Sequence, residues 1–174
     1  MAKQKRQPIG FITISDIHIG HQPIEQIQKE FFDEENGFFA KIYQVAEFCK
    51  EEGYVFGGVH ITGDYFDHQL SLNSPHAKFA FDLMHAILHI TCRLLGSKVT
   101  IIQGTRGHDH AQINVFEPFL TEFEDQFLII NTVQEMELYG YKVLCIPEEY
   151  MTNQTEYYQE FFEKKYDLIL GHGK

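Results

Sequence analysis

Two β-branched apolar runs, residues 9–15 and 54–62, each end in a polar cluster that carries an acid. Asp16-Ile17-His18 follows the first, and Gly63-Asp64-Tyr65-Phe66-Asp67 follows the second. Short apolar runs bounded by turn residues read as buried strands. Two strand ends that each present an acid, one with a histidine nearby, point to a shared metal site at the edge of a sheet. Gly107-His108-Asp109 and Gly171-His172-Gly173 add two more polar clusters after apolar runs. That order of donors points to a two-metal phosphoesterase.

Between these runs the period changes from two to 3.6. Phe39, Ile42, Val45, Ala46 and Cys49 recur at helical spacing over residues 38–52, and Gly53 ends the pattern. Gly57-Gly58 inside the second strand predicts a bulge or a close backbone approach. Ser74-Pro75 is a cap followed by proline at the first helical position, and the helix is predicted to run to Leu95 and stop at Gly96. This helix is apolar around much of its girth, so one face packs on the sheet and the rest needs a second cover, which predicts a homodimer contact through residues 75–95. Residues 99–102, 127–130, 133–138 and 141–146 read as strands, with Tyr139-Gly140 as a tight turn and Pro147 as a stop. A helix over 155–165 and a strand over 167–170 complete the chain. Strands alternating with helices, followed by a meander, predict an α/β sandwich with a mixed sheet.

The 174 residues fit one domain, residues 9–174, behind a basic tail at 1–8 that carries Lys3, Lys5 and Arg6. The net charge of -11 excludes a protein that holds nucleic acid by surface charge alone. Contact with DNA would have to run through local basic loops and bound cations. Cys49, Cys92 and Cys145 are far apart and form no paired motif, which reads as buried thiols in a reducing, cytoplasmic compartment. No apolar stretch reaches the length of a membrane span.

On a strand, residues i and i+2 point the same way, so Asp16 and His18 are expected to converge on one ion if strand geometry persists past Ser15. A carboxylate with an imidazole suits Mn²⁺, Fe²⁺ or Zn²⁺ better than Ca²⁺. Asp64 is the natural bridge, since one carboxylate can span two ions about 3.5–4 Å apart. His172 would ligate from a separate strand end, and Asp67 reads as a supporting or loop-capping acid. His85 and His89 lack the glutamate of a zinc-protease motif and read as solvent-facing or interface residues. His60 reads as a core or sheet-face residue with its hydrogen bonds satisfied. His21, His68, His76 and His110 sit in loops near the proposed site.

These motifs resemble the calcineurin-like metallophosphoesterase superfamily, whose pattern runs Asp-x-His, Gly-Asp-x-x-Asp, Gly-Asn-His-Asp or -Glu, a lone His, then Gly-His-x-His. Residues 15–21 and 63–67 match it closely, and the long helix after Asp67 with the motif around His108 looks most like the SbcD-type nuclease of double-strand-break repair, including phage recombination nucleases. The resemblance spans residues 9–173. It implies a metallophosphoesterase-type β-sandwich with mixed sheets flanked by helices. It also implies two divalent ions, Mn²⁺ first, with Mg²⁺, Fe²⁺ or Zn²⁺ as alternatives, held by Asp16, His18, Asp64 and His172. His108 would act on the scissile phosphate and its leaving oxygen, oriented by Asp109. DNA as substrate, an SMC-like ATPase as partner and the cytoplasm, of the host if the protein is phage-encoded, follow from the same resemblance. Two departures stand out. Thr105-Arg106-Gly107 precedes His108 where the family has Asn, so Thr105 or a water would supply that oxygen, and Arg106 could face a phosphate. The closing Gly-His-x-His is missing, which implies an incomplete domain from a longer protein. A phosphatase or nucleotide phosphodiesterase of the same fold, and a catalytically impaired scaffold, are the alternative readings.

Overall fold

The computed structural model describes residues 6–148 and 154–172. Lys3, Lys5 and Gly173, singled out above, lie outside the described residues. Four strands, β1 (Ile9–Ile14), β2 (Val55–Thr62), β3 (Lys98–Ile102) and β4 (Phe127–Ile130), form one sheet in the order β1-β2-β3-β4. Every pairing in it is parallel, so this sheet is not mixed. Parallel neighbours need crossovers, supplied here by α1 (Ile24–Phe32) and α2 (Phe38–Glu51), by α3 (Pro75–Leu88), and by α4 (Pro118–Phe123). Crossovers of one hand along a sequential strand order put these helices on one face of the sheet.

Side-chain alternation along the strands separates two cores. Val59, Ile61, Val99 and Ile101 pack with the helices, against Ile42, Phe79, Leu83, Met84 and Ile87. Ile102 and Ile130, with Phe11 and Leu128, pack the other way, against a second sheet through Leu138, Val143, Cys145 and Leu170. That sheet has the order β5-β6-β7, from β5 (Gln134–Leu138), β6 (Tyr141–Ile146) and β7 (Leu168–Gly171). The hairpin turn is where Tyr139-Gly140 places it, with φ of 51° and 82°, the left-handed pair that matches strand twist. The meander stops there. β7 returns parallel to β6 after α5 (Gln154–Phe162), so the second sheet is the mixed one. The molecule is thus an α/β fold with a parallel sheet, a mixed sheet and flanking helices.

Two local features follow the sequence reading, and a third departs from it. Pairing of β1 with β2 moves from Gly10–Phe56 to Ile12–Val59, one extra residue on β2, which is a bulge at Gly57-Gly58. The Ser74 hydroxyl accepts from the Ala77 amide at 3.1 Å and Pro75 opens α3. The α-helix ends at Leu88, however, and residues 89–94 continue as a π turn. The outer flank of α3 is partly covered from within, since the Phe81 ring lies 4.4 Å from that of Phe119. Cys49, Cys92 and Cys145 are buried free thiols, and burial pushes Cys92 up to about 12 and Cys145 up to about 11. No helix among the described residues is long and apolar enough to cross a membrane.

His60 is buried in the layer between the sheets, edge-on to Phe11 at 5.4 Å. Neither ring nitrogen has a hydrogen-bond partner, so it is a core histidine but not a satisfied one. Burial holds its imidazole down to about 4, against an ordinary 6.5. Between those values the unfolded chain carries a proton that the folded chain refuses. Stability contributed by the neutral ring is therefore full above pH 6.5 and is lost as pH falls toward 4, at about 1.4 kcal/mol per pH unit for one proton. Replacement His60→Leu keeps the site apolar and removes the proton. Its urea midpoint is expected to fall less than that of the wild type between pH 7 and pH 5, and equal falls would contradict this account.

Candidate metal centre

In a parallel sheet the carboxyl ends of neighbouring strands share one edge, and loops leaving that edge are where ligands bind. The loops after β1, β2 and β3 carry Asp16 and His18, Asp64 and Asp67, and Thr105 to Asp109 respectively. His172 arrives from the end of β7 in the other sheet. The structure brings Asp16, His18, Asp64, His108 and His172 to this edge. Asp16, Asp64 and His172 line one open cavity of about 350 Å³, together with Ser15, Thr62, Thr105 and Gly171.

Convergence of Asp16 with His18 does not come from strand geometry. β1 stops at Ile14, and both residues adopt left-handed backbone, with φ of 57° and 50°. Asp64 does the same, with φ of 51°. Each such residue costs about 1–3 kcal/mol and persists only where its surroundings impose it. Here the first two loops are zipped together by main-chain hydrogen bonds. The Asp16 amide donates to Gly63 O at 3.2 Å, His18 to Asp64 O at 3.1 Å, Ile19 to Tyr65 O at 2.9 Å, and Asp67 back to Ile19 O at 3.0 Å.

Asp64 is the buried centre of the site, 5% exposed. Its Oδ1 accepts from the Thr105 amide at 2.6 Å and the Thr105 hydroxyl at 3.1 Å. Thr105 therefore anchors the acid through its amide and hydroxyl hydrogens, and it also lines the cavity. His172 Nε2 lies 3.3 Å from Oδ1, and His108 Nε2 lies 4.0 Å from Oδ2. The far nitrogens of these two rings are both fixed. His172 Nδ1 is 2.8 Å from Thr62 O, and His108 Nδ1 is 2.7 Å from Asp67 O. A carbonyl can only accept, so Nδ1 carries the proton in each ring, and in the neutral imidazole the Nε2 lone pair faces Asp64. Each Nε2 lone pair is thus aimed at an oxygen of Asp64: His172 stands close enough to share a cation with the carboxylate, and His108 stands farther back. One donor atom each from His18, Asp64 and His108 also lie within 4.8 Å of one another. Imidazoles plus carboxylate fit Mn²⁺, Fe²⁺ or Zn²⁺.

Asp67 and Asp109 divide the supporting work differently from expectation. The Asp67 carboxylate contacts His68 Nδ1 at 3.0 Å, His21 Nδ1 at 3.6 Å and His18 Nδ1 at 3.7 Å. The His68 hydrogen bond holds this carboxyl below its ordinary value, against a smaller opposing push from burial. Asp109, read above as the residue that orients His108, is fully buried and bonded elsewhere. Its Oδ1 accepts from the Phe66 amide at 2.9 Å and its Oδ2 from the Gly104 amide at 2.6 Å. It ties the β2 loop to the β3 loop, and the Asp67 carbonyl is what orients His108. Burial pushes the Asp109 carboxyl up, although both amides pull it down. His76 contacts Gln22 O at 3.3 Å, and His110 is exposed on its loop. The two carbonyl acceptors, of Thr62 and Asp67, carry no sequence signature, because a main-chain oxygen is the same at every residue.

No family model and no curated protein matches the chain. Among solved structures, the crystal structure of the protein of unknown function AQ665 from Aquifex aeolicus aligns with 92% of this chain and 76% of its own, at 16% identity and a TM-score of 0.35.

Gly63 has φ of 91°, and a Cβ there would stand 2.3 Å from His172 Cγ. The variant Gly63→Ala must push the His172 ring aside. It is expected to retain helical and strand content by circular dichroism and to bind Mn²⁺ about tenfold or more weakly by calorimetry, the usual range for disturbed ligand support. Unchanged affinity in a folded variant would contradict the placement of His172.

Proposed function

We propose that this protein is a metal-dependent phosphodiesterase that cleaves DNA with two divalent cations, Mn²⁺ first, held by Asp16, His18, Asp64 and His172. The observation that carries the reading is the convergence of two carbonyl-fixed imidazoles on the two oxygens of buried Asp64. Bound there, the cations would supply Lewis acidity toward a phosphoryl group and offset its charge. The chain's own residues do the rest. Thr105 fixes Asp64 in one rotamer, and the Thr62 carbonyl fixes His172. The Asp67 carbonyl holds His108 with Nε2 facing the site, where the ring can hold a proton and pass it to a leaving oxygen. Asp109 acts only through the loops it joins.

Motif resemblance to the metallophosphoesterases, and within them to SbcD-type nucleases, supports DNA as substrate, and with it an SMC-like ATPase as partner. The open cavity suits a polymer that passes along the sheet edge. A net charge of -11 leaves bound cations as the source of attraction for phosphate. The exposed Phe81 on α3 and Leu94 on the π turn that continues it, 37% and 58% accessible, support a homodimer contact there. Engagement of Thr105 with Asp64 favours a second reading, a scaffold that binds its cations weakly and turns over poorly.

Mn²⁺-dependent degradation of linear duplex or single-stranded DNA is the test, with bis-p-nitrophenyl phosphate as the small-ester control. Cleavage of DNA supports the nuclease; turnover of the small ester alone moves the assignment to a phosphatase or nucleotide phosphodiesterase. No turnover and no Mn²⁺ binding overturns both. Within this account Asp64→Ala loses more cation affinity than Asp16→Ala, because Asp64 faces both positions. His108→Ala keeps its cations and loses about 10²–10⁴ in kcat, the range for a general acid. Loss of cation binding in His108→Ala, read by calorimetry, would refute its role.

A further inference from the structure

Outside the metal centre, the structure assigns a second cation site, for a borderline transition ion such as Zn²⁺, to His85, His89 and Glu122, where it would clamp α3 to α4. α3 runs back from the ligand-bearing sheet edge, so this cluster lies along its return, in the helical layer. The His89 amide donates to His85 O, which fixes the two residues one α-helical turn apart on one face. Their rings stack at 6.4 Å with an interplanar angle of 28°. Across from them, Glu122 Oε1 stands 3.6 Å from His85 Nε2. That separation is too long for a hydrogen bond, and it is close to the roughly 3.4 Å between two ligands of one tetrahedral ion with bonds near 2.0–2.2 Å.

Two of the three donors are held in place. The His85 ring packs on Phe119 at 5.5 Å and Phe123 at 6.1 Å. Glu122 is fixed through its backbone, because Arg93 from the π turn donates to its carbonyl and stacks over Phe123 at 5.1 Å. His89 is exposed one helical turn from His85, the spacing at which two histidines on one helix face share a zinc ion, and its ring must turn toward Glu122 to join the set. Two imidazoles and one carboxylate favour Zn²⁺ or Ni²⁺ over Mg²⁺ and Ca²⁺. The inference does not rest on the nuclease reading, since the two sites share no residue.

The test is Zn²⁺ titration of the whole chain by calorimetry, with thermal melting alongside. Asp64→Ala removes the bridging ligand of the metal centre, and it is expected to retain one Zn²⁺ equivalent and a Zn²⁺-induced rise in Tm. The double variant His85→Ala, His89→Ala is expected to bind one equivalent fewer than wild type and to lose that part of the rise. Glu122→Gln is expected to weaken this equivalent about tenfold. Equal stoichiometry and equal Tm shifts in wild type and double variant would overturn the site. Ni²⁺ provides a readout without touching the cluster: ring resonances of His85 and His89 should broaden at one equivalent in Asp64→Ala, and sharp resonances there would overturn the proposal equally.

Discussion

The anchoring of Asp64 by Thr105 is the contact on which the rest of the site depends. A buried carboxylate is costly unless its oxygens are engaged, and two donors from one residue engage Oδ1. Hydrogen bonds to a charged acceptor are worth about 1.5–3 kcal/mol each. That is comparable with the strain of the left-handed backbone at Asp64 itself, and offsets it. What Thr105 leaves over is a direction: Oδ2 points at His108, and Oδ1 keeps room for His172.

Fold and site are linked by the parallel order of the first sheet. Sequential parallel strands put three successive loops at one edge, and a sandwiched second sheet delivers His172 to that edge from β7. The Asp109 carboxylate then stitches the β2 and β3 loops through two amides, and main-chain bonds stitch the β1 and β2 loops. Gly104 belongs to the same device, because a Cβ there would meet Asp64 N at 2.1 Å. Three loops that are fixed to one another can present several ligands from different parts of the chain with little reorganisation on binding.

Most of the strands and helices, and the convergence of the polar clusters, were legible in the sequence because they rest on periodicity and on strand ends. Ile9–Ile14, Val55–Thr62 and the cap at Ser74 fall within a residue or two of where the pattern puts them. Register and direction were not legible. Nothing in the run 167–170 states whether it pairs parallel or antiparallel with β6, and the π turn after Leu88 has no compositional mark. At the site, residue types were readable and backbone conformation was not. Asp16 and His18 meet the site through positive φ values that spacing on a strand does not foresee. Asp109 sits beside His108 in sequence, yet its side chain turns inward to Phe66 and Gly104.

Anomalous scattering from crystals soaked in Mn²⁺ tests the central claim most directly, because it counts the ions and locates them without reference to activity. The account predicts two peaks about 3.5–4 Å apart on either side of the Asp64 carboxylate. One lies against His172 Nε2, and the other lies beside Asp16 and His18. Density with no peak beside Asp64, or Mn²⁺ bound only at residues away from it, would contradict the account.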